Sequence, residues 1–360
     1  MTQPQPAPSS SPADSSVRSS ASWLLDRTEV LCRADTTTGR EDHGLPALRG
    51  LLRELAGTIE LQQVAPGRHN VLATWGRPQL LFSTHLDTVP PFLPPTRQGD
   101  VLRGRGTCDA KGQITAQLAA IRALLDRGHD GFAWLGVVGE ETDSIGAAAA
   151  AAEFASRLTD CRGLINGEPT ENVLASGQRG SMQIKIATTG LAAHSGTPEL
   201  GRSAIWPLLD WVQKLRELPI RDDPEFGPEV WNLGVLRGGQ APNVIPDAAH
   251  ATLFARTLPD SEFLARVREL APREGEVGEI AETPPERFAD LPGFPRRPVT
   301  FGSDAPRLRK LVPNGLVTMC GPGSIRVAHT LEEHITGDDL VRGVDLLVAM
   351  AETMLEGDRR

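Results

Sequence analysis

Hydrophobic and polar positions follow two different rhythms along the chain. In the first rhythm, short apolar runs alternate with stretches whose apolar residues have helical spacing. The predicted strands are 71–75, 79–83, 132–138 and 164–165, and the predicted helices between them are 112–125 and 147–154. This alternation is typical of a mostly parallel sheet with helices on its faces. We therefore predict an α/β domain.

Further helices are predicted on both sides of this region, at 23–33, 45–55 and 338–355. The first 21 residues differ from them, because they are rich in Ser and Pro and have no apolar stretch of the kind a signal peptide needs. Such a composition cannot bury enough apolar surface to fold. We predict that residues 1–21 form a disordered tail.

The second rhythm begins after Gly177 and is typical of an α+β unit. Its predicted strands are 182–188, 233–236, 249–256 and 276–282, and its predicted helices are 204–215 and 262–270. A Pro-rich stretch then leads back to the first rhythm. We therefore predict a domain formed by 22–177 and 287–360, with residues 178–286 inserted into it.

Composition excludes several classes of function. The 360 residues carry a net charge of −9 and no basic cluster, so we expect no nucleic-acid partner. No apolar run approaches the roughly 20 residues that a membrane-spanning helix needs, so we expect no membrane partner. The four cysteines form no CxxC pair and suit a reducing compartment. We predict a cytoplasmic protein.

Candidate chemistry lies where the predicted strands end. Imidazole and carboxylate groups occur there in five windows, STHLDTVP, GRGTCDAKG, VVGEETDS, INGEPTEN and GPGSIRVAHT. Side chains at the carboxyl ends of strands commonly form the active sites of α/β proteins. The residues concerned are His85, Asp87, Asp109, Glu140, Glu141, Glu168 and His329.

These residue types suit a two-metal centre. Two divalent ions about 3.5–4 Å apart can act together on one amide, and zinc accepts imidazole and carboxylate ligands. One bridging carboxylate, with one His and one carboxylate for each metal, gives two sets: His85, Asp109 and Glu168, and Glu141, Asp109 and His329. We predict two Zn²⁺ ions, although Co²⁺ or Mn²⁺ would fit similar sites.

Two carboxylates remain outside the predicted ligand sets. Asp87 lies two residues after His85 and could accept the other imidazole N–H, which would fix the ring. Glu140 could take a proton from the attacking water. Each therefore has a candidate catalytic role.

In this order, the five windows resemble the M20 metallopeptidase family, which includes acetylornithine deacetylase, succinyl-diaminopimelate desuccinylase and carboxypeptidase G2. The resemblance covers nearly all of the chain beyond the tail. It implies the same ligand sets with Asp109 as the bridge, Glu140 as general acid/base, and Asp87 as the residue that orients the site. It also implies a cis peptide bond between Asp109 and Ala110.

The inserted segment GLAAHSGTPELGRSAI resembles the lid or dimerisation domain of that family. The resemblance implies that the protein forms a homodimer through this domain and that His194 stabilises the oxyanion, in dimeric members from the partner subunit. The windows APNVIP and LFARTLP imply that Asn243 and Arg256 bind the substrate carboxylate. Phe254 stands where the family often has an acid, which implies a different support for Arg256.

Our leading hypothesis is a zinc-dependent amidohydrolase that removes the acyl group from an N-acyl amino acid. The segment GPGSIRVAHTLEEHI resembles acetylornithine deacetylases, so N-acetylornithine and arginine biosynthesis are our first guess. We interpret Glu332 and Glu333 in this segment as surface charges. The alternatives are a dipeptidase or aminoacyl peptidase, a desuccinylase of succinyl-diaminopimelate, and, from another class, a non-catalytic metal-binding homologue.

Overall fold

The structure is a computed structural model that describes residues 13–356, and the side chains of residues 21–356. The predicted tail thus lies partly outside the described residues. The described chain contains eight α-helices. They are α1 (Ala13–Cys32), α2 (Leu45–Glu54), α3 (Lys111–Asp126), α4 (Ile145–Phe154), α5 (Ile205–Arg216), α6 (Phe263–Glu269), α7 (Ala305–Leu308) and α8 (Gly337–Glu356).

Twenty strands accompany these helices in the described residues. They are β1 (Thr58–Ala65), β2 (Arg68–Trp75), β3 (Leu80–His85), β4 (Thr96–Gln98), β5 (Val101–Arg103), β6 (Phe132–Val137), β7 (Gly163–Asn166), β8 (Leu174–Gln178), β9 (Gly180–Thr189), β10 (Ala193–His194), β11 (Asp222–Asp223), β12 (Gly227–Pro228), β13 (Val230–Gly238), β14 (Val244–Ile245), β15 (Ala248–Thr257), β16 (Gly275–Thr283), β17 (Glu286–Arg287), β18 (Arg296–Val299), β19 (Leu316–Met319) and β20 (His334–Thr336).

The chain divides into two compact units. The first contains the described residues up to Ala175, the segment Phe288–Arg296, and the chain from Arg307 onward. The second contains Ser176–Arg287, which covers the predicted insertion, and also the segment Arg297–Pro306, which was not predicted to belong to it.

The first unit is built on a six-stranded sheet with the order β1-β2-β6-β3-β7-β19. Strands β6, β3, β7 and β19 are parallel to one another, and β2 is antiparallel to both β1 and β6. The predicted α/β fold with a mostly parallel sheet is therefore confirmed.

Burial explains why these strands read as unbroken apolar runs. Every residue of β3, β6 and β7 is buried, as expected for strands that are covered on both faces. Helices α1, α3 and α8 pack against one another, and α4 packs against β1, β2 and β6. The indole N–H of Trp134 donates to Gln117 Oε1 of α3 at 2.9 Å, which satisfies a polar group deep in the core.

The second unit has a four-stranded antiparallel sheet with the order β13-β15-β9-β16. Along β9 and β15 buried residues alternate with more exposed ones, which is the pattern of a sheet with one solvated face. Helices α5 and α6 contribute Trp211 and Val267 to the core of this unit, and the Trp211 indole N–H donates to the Val267 carbonyl at 3.0 Å.

The predicted helices and strands are all present, with small shifts at their ends. The largest difference is α1, which begins at Ala13 rather than Trp23 and so includes part of the segment predicted to be a tail. Among the described residues, we find no helix whose length and hydropathy would let it cross a membrane.

Candidate active site

Three neighbouring strands place the first group of candidate residues at one edge of the large sheet. Strand β3 ends at His85, β6 leads into Glu140 and Glu141, and β7 is followed by Glu168. Because β6, β3 and β7 are adjacent and parallel, their carboxyl ends lie side by side. The polar residues that follow them are therefore brought to the same place.

Two loops supply the remaining candidates. Asp109 lies just before α3, and the peptide bond between Asp109 and Ala110 is cis, as the resemblance implied. His329 lies in the loop between β19 and β20, and it is a non-glycine residue with a positive φ of 63°. The imidazole Nε2 of His329 lies 3.0 Å from the carboxylate of Glu141, which follows β6.

The candidate ligands form two groups that share one carboxylate. In His85, Asp109 and Glu168, one ligand atom from each residue lies within 4.8 Å of the others, and the same holds for Asp109, Glu141 and His329. His85 Nε2 is 2.8 Å from Asp109 Oδ1, and His329 Nε2 is 3.2 Å from Asp109 Oδ2. The two oxygens of Asp109 thus face two different imidazoles.

The carboxylates of this cluster raise the pKa of both imidazoles. Burial lowers the pKa of His85, but hydrogen bonds to Asp109 and Asp87 outweigh that effect and raise the pKa well above its usual value. Hydrogen bonds to Asp109 and Glu141 raise the pKa of His329 to about 10. The carboxylates around them thus favour the charged form of both imidazoles, and a bound divalent cation would supply that positive charge instead.

Asp87 is buried and does more than orient His85. Its Oδ2 accepts hydrogen bonds from the Thr38 hydroxyl at 2.8 Å and the Glu141 backbone N–H at 3.2 Å, and its Oδ1 accepts from the Glu140 backbone N–H at 3.2 Å. His85 Nδ1 is closer to the Asp87 backbone oxygen, at 3.0 Å, than to its carboxylate, at 3.5 Å. Asp87 therefore anchors the loop that carries Glu140 and Glu141.

The second unit holds the other three predicted residues. His194 and Asn243 come together because β10 pairs with β14, and the Ser195 N–H donates to the Asn243 carbonyl at 3.0 Å. Both side chains are exposed, and His194 Nδ1 accepts the Gly196 backbone N–H at 3.0 Å.

Arg256 lies apart from that pair along the sequence, on β15. Its guanidinium lies 5.1 Å above the centre of the Phe254 ring, so the aromatic residue provides a cation–π support where an acid was expected. Burial, and then the charge of Arg179, lower the pKa of Arg256. Among the residues the structure describes, we find no carboxylate paired with Arg256.

Sequence reasoning missed one buried carboxylate beside the site. We interpreted Glu333 as a surface charge, and this is wrong, because Glu333 is only 1% exposed. It bonds to the loop that carries Asp109. No local pattern in the sequence marks Glu333 as buried, because the loop that it contacts is more than two hundred residues away along the chain.

Buried strand ends, two ligand groups that share Asp109, and the adjacent carboxylate of Glu140 are typical of one class of protein, the two-metal hydrolases of α/β fold. The comparisons with known proteins agree. The family described as peptidase family M20/M25/M40 matches residues 81–353, and the chain belongs to this family.

Individual relatives extend the match over most of the chain. A peptidase M20 domain-containing protein of Schizosaccharomyces pombe is 33% identical over 89% of this chain and 82% of its own length. A probable carboxypeptidase of Aspergillus clavatus is 33% identical over 92% of this chain and 89% of its own. The aminopeptidase PepT of Bacillus cereus has the same fold, with a TM-score of 0.75, 21% identity, and coverage of 93% and 99%.

The protein is thus a hydrolase of the metallopeptidase type. These two curated relatives are named peptidase and carboxypeptidase, and neither name refers to acetylornithine or succinyl-diaminopimelate.

Proposed function

We propose that the protein hydrolyses the amide bond of a short peptide or N-acyl amino acid, next to the residue that carries the free carboxylate. The observation that carries this proposal is the position of Asp109, which joins His85 and Glu168 on one side to Glu141 and His329 on the other. A shared carboxylate of this kind suits two metal ions acting on one substrate.

The donor set fits divalent metal ions. Each group offers one imidazole and two carboxylates, and zinc takes these ligands. We propose two Zn²⁺ ions, with Co²⁺ or Mn²⁺ as substitutes that the same donors would accept. When bound, the ions would supply Lewis-acid polarisation of the amide carbonyl.

Glu140 is proposed as the general acid/base. It follows β6 directly beside Glu141, it is only partly buried, and its backbone is fixed by Asp87. It belongs to neither ligand group. We propose that Glu140 takes a proton from the attacking water and returns it to the leaving amine, so that the amide bond is replaced by a carboxylate and a free amine.

Substrate recognition is proposed to rest on the second unit. Arg256 would bind the substrate carboxylate in a bidentate pair, which its planar guanidinium favours, and Asn243 would bind the same end of the substrate. His194 would donate to the oxyanion that forms during the reaction. The lack of a carboxylate partner for Arg256 among the described residues supports this assignment.

The names of the relatives favour a carboxypeptidase or dipeptidase activity as the first candidate. Deacetylation of N-acetylornithine, with a role in arginine biosynthesis, is our narrower hypothesis from the sequence, and desuccinylation is the third. All three reactions cleave an amide and use a free carboxylate. They differ only in the acyl group and in the side chain next to the bond.

One assay separates these candidates. Zinc-loaded protein is given N-acetylornithine, other N-acetyl amino acids, N-succinyl-diaminopimelate, dipeptides and N-blocked peptides, each with a chelator-treated control, and the released amine is measured. Chelator-sensitive cleavage, fastest on peptides, is the expected result. The absence of hydrolysis from protein shown to hold two zinc ions would overturn the proposal and favour a non-catalytic metal-binding role.

We also propose a homodimer formed through the second unit. Strand β13 is an edge strand of its sheet, and Leu236 on β13 and Trp206 on α5 are 48% and 68% exposed. A Cβ added at Gly238 would lie 2.9 Å from Ile205, so the end of β13 and the start of α5 are close together. Exposed apolar side chains beside an open strand edge suit a symmetric contact with a second copy.

A cytoplasmic location is proposed on different grounds. All four cysteines are free and buried, as is usual in compartments where thiols stay reduced.

A further inference from the structure

One carboxylate oxygen accepts hydrogen bonds from three backbone N–H groups of a single loop beside the proposed metal centre. Glu333 Oε1 accepts hydrogen bonds from the backbone N–H groups of Gly106 at 2.9 Å, Cys108 at 3.1 Å and Asp109 at 3.2 Å. Bonds from N–H groups to an ionised carboxylate are stronger than bonds between neutral groups. The loop 106–109 is therefore folded around the side chain of Glu333.

The other oxygen of Glu333 is occupied as well. Glu333 Oε2 lies 2.5 Å from Arg105 Nη1, and both side chains are almost fully buried. The Arg105 Nε in turn donates to the Pro91 carbonyl at 3.3 Å, and the Gly104 N–H donates to the Glu333 carbonyl at 3.0 Å. Both carboxylate oxygens of Glu333, together with Nε and Nη1 of Arg105, thus hold this clamp, which consists of Glu333 and Arg105, to the loop and its neighbours.

The far end of the loop is fixed by the start of α3. The Lys111 N–H donates to the Gly106 carbonyl at 2.8 Å. Gly106 has a φ of 87°, and a Cβ there would lie 2.9 Å from Lys111 Cδ, so only glycine fits. Asp109 is held between these two attachments, and its side-chain oxygens face His85 and His329.

We infer that Glu333 is a positioning residue for Asp109 and, through Asp109, for both metal ions. This inference rests on the proposed function, because it takes the two groups that share Asp109 to be metal sites. Groups that hold a metal ligand in place without touching the metal typically change metal affinity about 10–100-fold when they are mutated. Since Asp109 belongs to both groups, the loss of Glu333 weakens both sites together.

A merely structural ion pair would behave differently. Breaking a buried pair lowers stability because one charge is left without its partner. If that were the only role of Glu333, a variant that still folds would bind metal as the wild type does. The affinity of the folded protein for zinc therefore separates the two roles, and activity alone does not.

The test is a zinc titration in competition with a coloured chelator, on wild-type protein and on Glu333→Gln. The amide keeps an oxygen for the backbone N–H groups, but it lacks the charge and turns an N–H₂ donor toward Arg105. The matched control is Glu332→Gln, because Glu332 is the neighbouring residue, its side chain is 81% exposed, and its partner Arg103 lies 3.3 Å away at the surface.

We expect two zinc ions in the wild type, a loss of roughly 10–100-fold in affinity at both sites in Glu333→Gln, and a change within about twofold in Glu332→Gln. Wild-type affinity in a folded Glu333→Gln protein would overturn the positioning role and leave the metal sites intact. A wild type that binds no zinc would overturn the proposed function itself.

Circular dichroism is recorded for every variant. If Glu333→Gln does not fold, Glu333→Asp takes its place, since it keeps the charge but has a shorter reach. We expect the zinc affinity of Glu333→Asp to be lower than that of the wild type, but by less than about tenfold. Tenfold is about the smallest loss expected when such a positioning group is removed altogether. Unchanged affinity for both ions in Glu333→Asp would count against the positioning role.

Discussion

Two neighbouring carboxylates, Glu140 and Glu141, follow the same strand but have different surroundings. Glu141 lies 3.0 Å from His329 and belongs to a ligand group, whereas Glu140 belongs to neither group. We expect Glu140→Ala to lower kcat by about 10²–10⁴-fold, the range for general acid–base catalysis, and to keep both metal ions. Steady-state kinetics and metal analysis of the same sample check this prediction.

Glu141→Ala is the matched control, because it changes the adjacent residue by the same substitution. It should lose the metal held with His329 as well as activity. A Glu140→Ala protein with the wild-type rate would remove Glu140 from the proton transfer, and one that lost metal would make Glu140 a ligand.

A second prediction about a single residue concerns Arg256, whose guanidinium lies over the ring of Phe254. Arg256→Lys should lower kcat/KM for substrates with a free carboxylate by about tenfold or more, since a charge-assisted bond contributes about 1.5–3 kcal/mol and Lys cannot form the bidentate pair. Substrates amidated at that carboxylate should change little. Arg266→Lys is the control, since Arg266 is a surface residue of the same unit that pairs with Glu269 at 2.6 Å.

The measurement is kcat/KM on one peptide in its acid and amide forms. An equal loss on both forms would mean that Arg256 does not bind the carboxylate.

Among the elements, the connection from β6 to α4 carries Glu140 and Glu141 and depends on Gly139. This glycine has a φ of 81°, and an added Cβ would lie 2.8 Å from Arg68 Nη2 and 2.9 Å from Asp143 Oδ1. Arg68 is held by the buried Glu41 at 2.6 Å and has little room to move. We expect Gly139→Ala to lower both the free energy of unfolding and the zinc affinity.

Gly128→Ala separates backbone strain from the steric effect. Gly128 has nearly the same φ, 84°, but an added Cβ would meet nothing within 4 Å. It should lower the free energy of unfolding by about 1–2 kcal/mol, the usual penalty for a side chain in this region, and leave zinc affinity unchanged. Urea denaturation measures the free energy of unfolding of both variants, and zinc titration measures their zinc affinity. If Gly128→Ala and Gly139→Ala changed both quantities equally, the close contacts around Gly139 would have no effect of their own.

Elements with a strong period could be predicted from the sequence, and irregular ones could not. Strand β6 is apolar throughout and β3 begins with three apolar residues, so the polar residues that follow, His85 and Glu140 among them, could be identified. Strand β1 was missed because it alternates weakly between polar and apolar residues and has one buried residue, Gln62. Strand β19, which leads toward His329, has only four residues, Leu316–Met319, too few for a period to emerge.

Long-range pairs of single residues were the least predictable feature of the site. The ligand groups could be proposed because their residue types are rare at strand ends and suit a metal. Glu333 could not, since its partners in the loop 105–109 lie more than two hundred residues away. Nothing local distinguishes it from Glu332, which is exposed.

For the whole molecule, the exposed apolar side chains of the second unit predict an assembly. We expect Trp206→Glu to shift a dimer toward monomer in light scattering coupled to size-exclusion chromatography, because it would bury a charge in the contact. Ile220→Glu is the control, since Ile220 is 73% exposed and follows the other end of α5. A monomeric wild type, or equal dimer fractions in both variants, would contradict this contact.

The last prediction concerns which subunit supplies His194. His194→Ala and Glu140→Ala should each be nearly inactive. If His194 acts on the partner's site, a mixed dimer has one complete site, which contains Glu140 of the His194→Ala subunit and the partner's His194. Mixing equal amounts under exchange should then restore about a quarter of the wild-type sites, because half of the dimers are mixed and each has one working site. If His194 acts within its own chain, every site lacks one residue and no activity returns, so the recovered rate distinguishes the two arrangements directly.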